Sequence, residues 1–168
     1  MELAERARAV RLAIFDVDGV LTDGTLYIGA QGESFKAFNI LDGHGVKMLQ
    51  SAGIVTAIIS GRSSGAVERR AAELAIAHVA QGCADKVATF EALRAQLGVD
   101  AAACSFMGDD LPDLAVMQRC GLAVAVANAA EPVKQAAHYV TRASGGRGAV
   151  REFCDLLLTA REFRGQTP

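Results

Sequence analysis

Short β-type runs alternate with helix-type segments along most of the chain, and this alternation constrains the fold more than any other feature. Leu12–Phe15 is an apolar run closed by Asp16, and residues 54–59 form a continuous run rich in β-branched side chains. Residues 77–80, 104–107, 122–126 and 138–140 read as further short strands. Between them, residues 42–52 have a capping-type start and apolar Val46 and Leu49, so they read as a helix. Residues 63–74 follow, with Ser63 as N-cap. Lys86–Leu97 places Val87, Phe90, Leu93 and Leu97 at helical spacing and ends at Gly98, a common C-terminal stop. Pro112 suits the first turn of a helix through residue 120. Residues 132–137 and 148–163 complete the helices. Parallel strands need crossovers, and helices supply them, so the pattern predicts an α/β fold with a doubly wound parallel sheet. One hairpin intrudes after the first strand, where residues 25–28 and 34–38 flank a Gly-containing loop.

The chain of 168 residues fits one domain, 1–168. The sheet uses nearly all of it, leaving the hairpin at about 24–39 and a C-terminal segment at about 143–168. No length remains for a cap domain over the sheet. With 17 Lys and Arg against 19 Asp and Glu, the net charge is −2, which disfavours a nucleic-acid partner. The longest apolar stretch, residues 122–127, is far below the ~20 that cross a bilayer, so no membrane association is expected. The opening residues are charged and have no apolar core, so no secretory leader is expected. Cys83, Cys104, Cys120 and Cys154 have no C-x-x-C spacing and read as free thiols of a reducing, cytoplasmic compartment.

Ligands of such sheets gather beyond the carboxyl ends of the strands. Three strand ends bring polar groups there: Asp16 and Asp18, then Ser60-Gly61-Arg62, then Gly108-Asp109-Asp110, with Lys86 opening a nearby helix. Carboxylates that converge repel one another unless a hard cation neutralises them. Oxygen donors without His or Cys suit Mg²⁺. A carboxylate beside the cation can be a nucleophile, and one two residues away a general acid and base. Ser60 and Lys86 supply the hydroxyl and cation that phosphoryl oxygens need. Each piece alone has a plainer reading: a solvated turn, a polar loop, a surface lysine. Their order and spacing together carry the chemistry. A P-loop is absent, and a phospho-accepting signalling module, which also pairs an acidic Mg²⁺ pocket with a Lys, would lack an acid at Asp18.

Phe15-Asp16-Val17-Asp18-Gly19-Val20-Leu21-Thr22, Ser60, Lys86 and Gly108-Asp109-Asp110-Leu111-Pro112-Asp113 resemble, in order, the motifs of the haloacid dehalogenase superfamily of phosphohydrolases. Residues 36–39, 42–45, 139–142 and 145–152 extend the resemblance to its branch without a cap domain that hydrolyses 3-deoxy-D-manno-octulosonate 8-phosphate (KDO 8-phosphate) in lipopolysaccharide synthesis. The resemblance implies that Asp16 is phosphorylated, that Asp18 is acid and base, and that Mg²⁺ is held by Asp16, Asp109 and the Asp18 carbonyl. It places Asp110 and Asp113 near or behind Asp109. Ser60 and Lys86 would hold the phosphoryl oxygens, with Gly61 and Arg62 beside them.

A substrate that carries a carboxylate needs further cations, for which Arg62, Arg70 and Arg147 are the candidates. Arg62 and Arg70, eight apart, could share a helix face. Similar sialic-acid-type 9-phosphate phosphatases tend to carry Glu where Arg62 stands, so the resemblance implies KDO 8-phosphate rather than such a 9-phosphate. The resemblance further implies a homotetramer. Neighbouring subunits would complete each active site through the hairpin, made apolar by Tyr27, Phe35 and Phe38, and through the segment near Arg147. His44, His78 and His138 are scattered and have no part in this chemistry.

Overall fold

A computed structural model describes residues 1–162. The expected helix end at Phe163, and the rest of the segment to residue 168, lie outside the described residues. The elements are α1 (Leu3–Ala9), β1 (Leu12–Phe15), β2 (Tyr27–Gly29), β3 (Gly32–Phe35), α2 (Ile40–Ser51), β4 (Val55–Ile59) and α3 (Gly65–Glu73). They continue with β5 (His78–Ala80), α4 (Lys86–Leu97), β6 (Cys104–Gly108), α5 (Leu111–Met117), β7 (Leu122–Ala125), α6 (Glu131–Ala136), β8 (Tyr139–Val140) and α7 (Ala149–Glu162). The main sheet has the order β5-β4-β1-β6-β7-β8, with every pair parallel, as the alternation predicts. The hairpin β2–β3 forms a separate antiparallel pair, and no cap domain is present among the described residues.

β1 lies between β4 and β6, and all its side chains are fully buried. Burial of a side chain the size of Leu12 or Phe15 contributes ~1.5–3 kcal/mol. This anchors β1, and so the residue after it, at the centre of the sheet edge. Helices α1, α2 and α7 pack together, and α4, α5 and α6 form a second group. Phe153 of α7 meets Phe15 edge-on at 6.2 Å between ring centroids.

Several boundaries depart from the sequence reading. Helix α1 was not anticipated, because only Leu3, Ala7 and Val10 mark its inner side among charged neighbours. It is tied down by Arg6, which donates to the Gly121 carbonyl at 2.6 Å, and by Arg8, which donates to Ala160 at 3.1 Å. The cap of α2 is Asn39, whose oxygen accepts from Leu41 and Asp42. Asp42 lies one turn inside, buried, and accepts instead from Gly148 and Arg151 at the start of α7. Burial pushes its carboxyl above the ordinary range, against the pull of those N–H groups. The cap of α3 is Ser64 rather than Ser63, because Ser64 Oγ is the side-chain oxygen that receives Ala66 N–H. Arg62 therefore precedes the helix and shares no helix face with Arg70. Helix α5 stops at Met117, short of residue 120. The four cysteines are free, as expected.

Candidate active site

The ladder partners of β1 determine where Asp16 stands. Its N–H donates to the Met107 carbonyl at 3.0 Å, so its backbone extends the β1–β6 pairing. Its Oδ1 accepts from Val17 N–H at 2.7 Å, and its Oδ2 pairs with Lys86 Nζ at 3.0 Å. Lys86 is the first residue of α4, and Asp85 caps that helix. The lysine side chain is 8% exposed and also meets Asp113 Oδ1 at 2.7 Å. Burial acts to lower the Lys86 pKa, but Asp16 and Asp113 outweigh it and raise it, so the ammonium stays charged.

Asp113 is buried, and both its oxygens are occupied. Oδ1 takes Lys86, while Oδ2 accepts from the N–H groups of Asp109 at 3.0 Å and Asp110 at 3.3 Å. Asp113 thus holds the Gly108-Asp109-Asp110 turn, and with Asp110 it forms a capping box on α5. Carboxylate oxygens of Asp16, Asp109 and Asp113 lie within 4.8 Å of one another. Burial, followed by the charge of Asp113, raises the Asp16 pKa to about 6 against the pull of Lys86. Burial, then Asp16 and Asp113, raises Asp109 to about 7. Two neighbouring carboxyls raised by burial and by the charge of Asp113, with Asp16 also acting on Asp109, form a site suited to a cation. With Asp113 saturated, Asp16 and Asp109 are the carboxylates left to hold a cation, and an all-oxygen donor set fits Mg²⁺.

The turn after Asp16 fits closely against Asp109. Gly19 has φ +87°, and a Cβ there would stand 2.0 Å from Asp109 Oδ2. On its other side, a Cβ on Gly145 would stand 1.7 Å from the Gly19 carbonyl oxygen. Asn128 joins the two backbones, accepting from Gly145 N–H at 2.7 Å and donating to the Gly19 carbonyl at 3.4 Å. Asn128 carries no sequence signal, because its partners lie 17 and 109 residues away.

Ser60 follows β4 directly, buried, with its N–H donating to the Ala80 carbonyl at 2.9 Å. Asp16, Asp18, Ser60, Gly61, Arg62, Lys86, Asp109, Asp110 and Asp113 line one cleft of about 280 Å³, together with Gly24 and Pro112. The Asp18 side chain stands outside the carboxylate cluster, between Lys36 at 2.5 Å and Arg62 at 3.5 Å. Arg70 and Arg147 do not line this cleft. Arg70 pairs with Glu73 at 3.2 Å and donates to the Asn39 carbonyl at 3.5 Å, packed over Gly43. Arg147 is mostly exposed and pairs with Asp23 at 3.6 Å. Chemically, the cleft offers a buried carboxylate held by the Lys86 ammonium, a second carboxylate beside it that could share a cation, and the Ser60 hydroxyl. That is the equipment of phosphoryl transfer to Asp16.

Comparison with known proteins agrees. Residues 75–153 match the family model of haloacid dehalogenase-like hydrolases. The KDO 8-phosphate phosphatase of Yersinia pestis is 48% identical over 161 residues, covering 96% of this chain and 86% of the relative. Its crystal structure superposes with a TM-score of 0.93, covering 95% of this chain and 86% of that one. The enzyme of that name from Escherichia coli K12 is 46% identical over 170 residues, covering 99% and 90%. The Moraxella catarrhalis enzyme, solved with a magnesium ion, a phosphate ion and KDO, superposes with a TM-score of 0.92 at 42% identity, covering 95% and 91%. Likeness at this level over nearly the whole length, with the acidic cleft in place, means that the chain belongs to the KDO 8-phosphate phosphatases of the haloacid dehalogenase-like hydrolases.

Proposed function

We propose that this chain is a Mg²⁺-dependent phosphomonoesterase that hydrolyses KDO 8-phosphate to KDO and phosphate for lipopolysaccharide synthesis. The observation that carries the reading is the pairing of Asp16 with Lys86 at 3.0 Å beside Asp109, in a chain whose near-full-length relatives act on this substrate. Lys86 keeps Asp16 ionised for attack on phosphorus. An Asp16 oxygen bonds to phosphorus as the bond to the sugar oxygen breaks, and Asp18 delivers a proton to that oxygen. Asp18 then takes a proton from water as the water oxygen bonds to phosphorus and the bond to Asp16 breaks, releasing phosphate. Mg²⁺, held by Asp16, Asp109 and the Asp18 carbonyl, supplies positive charge to the phosphoryl oxygens in both steps. Ser60 donates to the same oxygens. Asp113 keeps Lys86 and the Asp109 backbone in place.

Arg62, with 48% of its side chain exposed at the cleft, is the cation for the sugar carboxylate. Arg147, which does not line its own cleft, serves a neighbour's in a homotetramer, and Arg70 binds substrate only in such an assembly. Support comes from the hairpin, where Ile28 is 65% and Phe35 55% exposed and Tyr27 stacks on Phe35 at 4.3 Å. Ile40 and Leu41, just beyond it, are exposed as well. Apolar surface of this kind marks an interface. The free thiols support a cytoplasmic site of action. The test is kcat/KM for KDO 8-phosphate, a sialic-type 9-phosphate and hexose phosphates, with Mg²⁺ and with EDTA. KDO 8-phosphate is expected to lead and EDTA to abolish turnover. Preference for hexose phosphates would overturn the substrate, and metal-independent release would overturn the mechanism.

A further inference from the structure

Lys36 follows strand β3 and belongs to none of the superfamily motifs, yet it reaches the cleft. Its Nζ lies 2.5 Å from Asp18 Oδ1 and 3.0 Å from Glu33 Oε2, and its side chain is 2% exposed. Glu33 is itself held on three sides. Ser64 donates to its Oε1 at 2.5 Å, and Arg62 stands 3.4 Å from its Oε2. Lys36 completes the set. Ser64 is fixed in turn, because its N–H donates to Gln81 at 2.9 Å and its hydroxyl caps α3. The ammonium of Lys36 is therefore a cation buried between two carboxylates, with an anchor running back to the sheet.

Asp18 needs such a hold. Its neighbours Val17, Gly19, Val20 and Leu21 are buried, but the Asp18 side chain is 20% exposed, and a carboxylate rotates about its last bond unless an oxygen is tied. Arg62 approaches the other oxygen only at 3.5 Å, and about half of its side chain is exposed at the cleft. Among the described residues, Lys36 is the buried partner of Asp18, itself paired with Glu33. General acid–base catalysis depends on holding the proton-carrying oxygen within hydrogen-bond reach of the leaving oxygen and of the attacking water.

We propose that Lys36, braced by Glu33, is a positioning residue for Asp18. It ties one carboxylate oxygen so that the other faces the phosphoryl group. The hairpin thereby takes part in catalysis within its own chain, in addition to covering apolar surface. This rests on the reading of Asp18 as acid and base in the proposed phosphatase.

The test is the kinetics of Lys36→Met, which keeps the side-chain bulk and removes the charge. With KDO 8-phosphate, kcat should fall ~10- to 100-fold, part of the ~10²–10⁴ that general acid–base catalysis supplies. KM should stay within about twofold, because Ser60, Arg62 and Lys86 remain. With p-nitrophenyl phosphate the two steps separate. Nitrophenolate leaves without a proton, so Asp16 is still phosphorylated, but hydrolysis still needs Asp18. A burst of nitrophenolate stoichiometric with active sites should therefore precede a slow steady state. Lys36→Arg should recover most of the loss. Glu33→Gln, which loosens Lys36 without touching Asp18 but also frees Arg62, should show the lowered kcat and the burst in smaller measure, whatever its effect on KM. An unchanged kcat, a raised KM at constant kcat, or a lowered kcat without the burst would overturn the proposal. Failure of Glu33→Gln to show the signature would do so as well. Wild-type enzyme that turns over neither substrate with Mg²⁺ would instead overturn the phosphatase reading, and this assignment with it.

Discussion

Asp113→Ala tests how the site is held together. The wild-type carboxylate is 1% exposed and satisfies Lys86 at 2.7 Å, together with the N–H groups of Asp109 and Asp110. Removing one member of a buried ion pair typically costs ~3–5 kcal/mol, because the other charge stays buried. Two effects reduce this figure. Lys86 retains Asp16 at 3.0 Å, and the repulsion that Asp113 exerts on Asp16 and Asp109 disappears. The net loss in metal-free protein should be ~2–3 kcal/mol. Mg²⁺ neutralises Asp16 and Asp109 in either protein, so it removes that relief and widens the loss toward ~4 kcal/mol. Urea unfolding of both proteins, in EDTA and in saturating Mg²⁺, reads this directly as a change in midpoint at constant slope. The corresponding fall in Tm is ~2–4 °C per kcal/mol for a chain of this size. A loss below about 1 kcal/mol, or a smaller loss in Mg²⁺ than in EDTA, would refute the account of Asp113 as the brace of Lys86 and the Asp109 turn.

Three more outcomes follow from the geometry. Gly19→Ala pushes a methyl into Asp109, where 2.0 Å is available, and forces φ +87° on a residue with a Cβ. The Mg²⁺ concentration for half-maximal activity should rise at least ~10-fold, and an unchanged value would mean that the turn yields freely. The second outcome concerns pH. Asp16 and Asp109 have folded pKa values of about 6 and about 7, above their unfolded values. Between the unfolded and folded values the native state binds more protons than the unfolded one, so metal-free stability should decline as pH rises from about 4 to about 7. Mg²⁺ should flatten that decline, and urea titrations in EDTA that show stability rising over the window would contradict it. Third, Phe35→Glu places a charge on the exposed hairpin face. Sedimentation should show smaller species than wild type, with lower activity on KDO 8-phosphate. A fully active monomer would remove the case for shared active sites.

The sheet and the core of the site were legible because strand ends announce themselves. An apolar run stopped by Asp16, another stopped by Gly108-Asp109-Asp110, and Ser60 after a β-branched run each mark a carboxyl-terminal strand end. Lys86 was legible because the helix it opens has clear periodicity. What escaped acts across the chain. Lys36 reaches back 18 residues to Asp18, and Glu33 reaches forward 31 to Ser64. Local pattern cannot register such contacts. Asp42 was misread for the same reason: a capping residue looks alike whether it caps its own helix or, as here, the start of α7. Arg70 and Arg147 are the converse case. The resemblance points to the active site, while within one chain they meet Glu73 and Asp23.

The central claim is that phosphate passes through Asp16. Rapid mixing of the Mg²⁺-loaded enzyme with KDO 8-phosphate, an acid quench, and borohydride reduction would convert an aspartyl-phosphate to homoserine. The account predicts that change by peptide mass spectrometry at residue 16 alone, building up and decaying with turnover, and absent from Asp16→Asn, which should also be inactive yet folded. Turnover with no modification at Asp16, or with modification at another carboxylate, would contradict it.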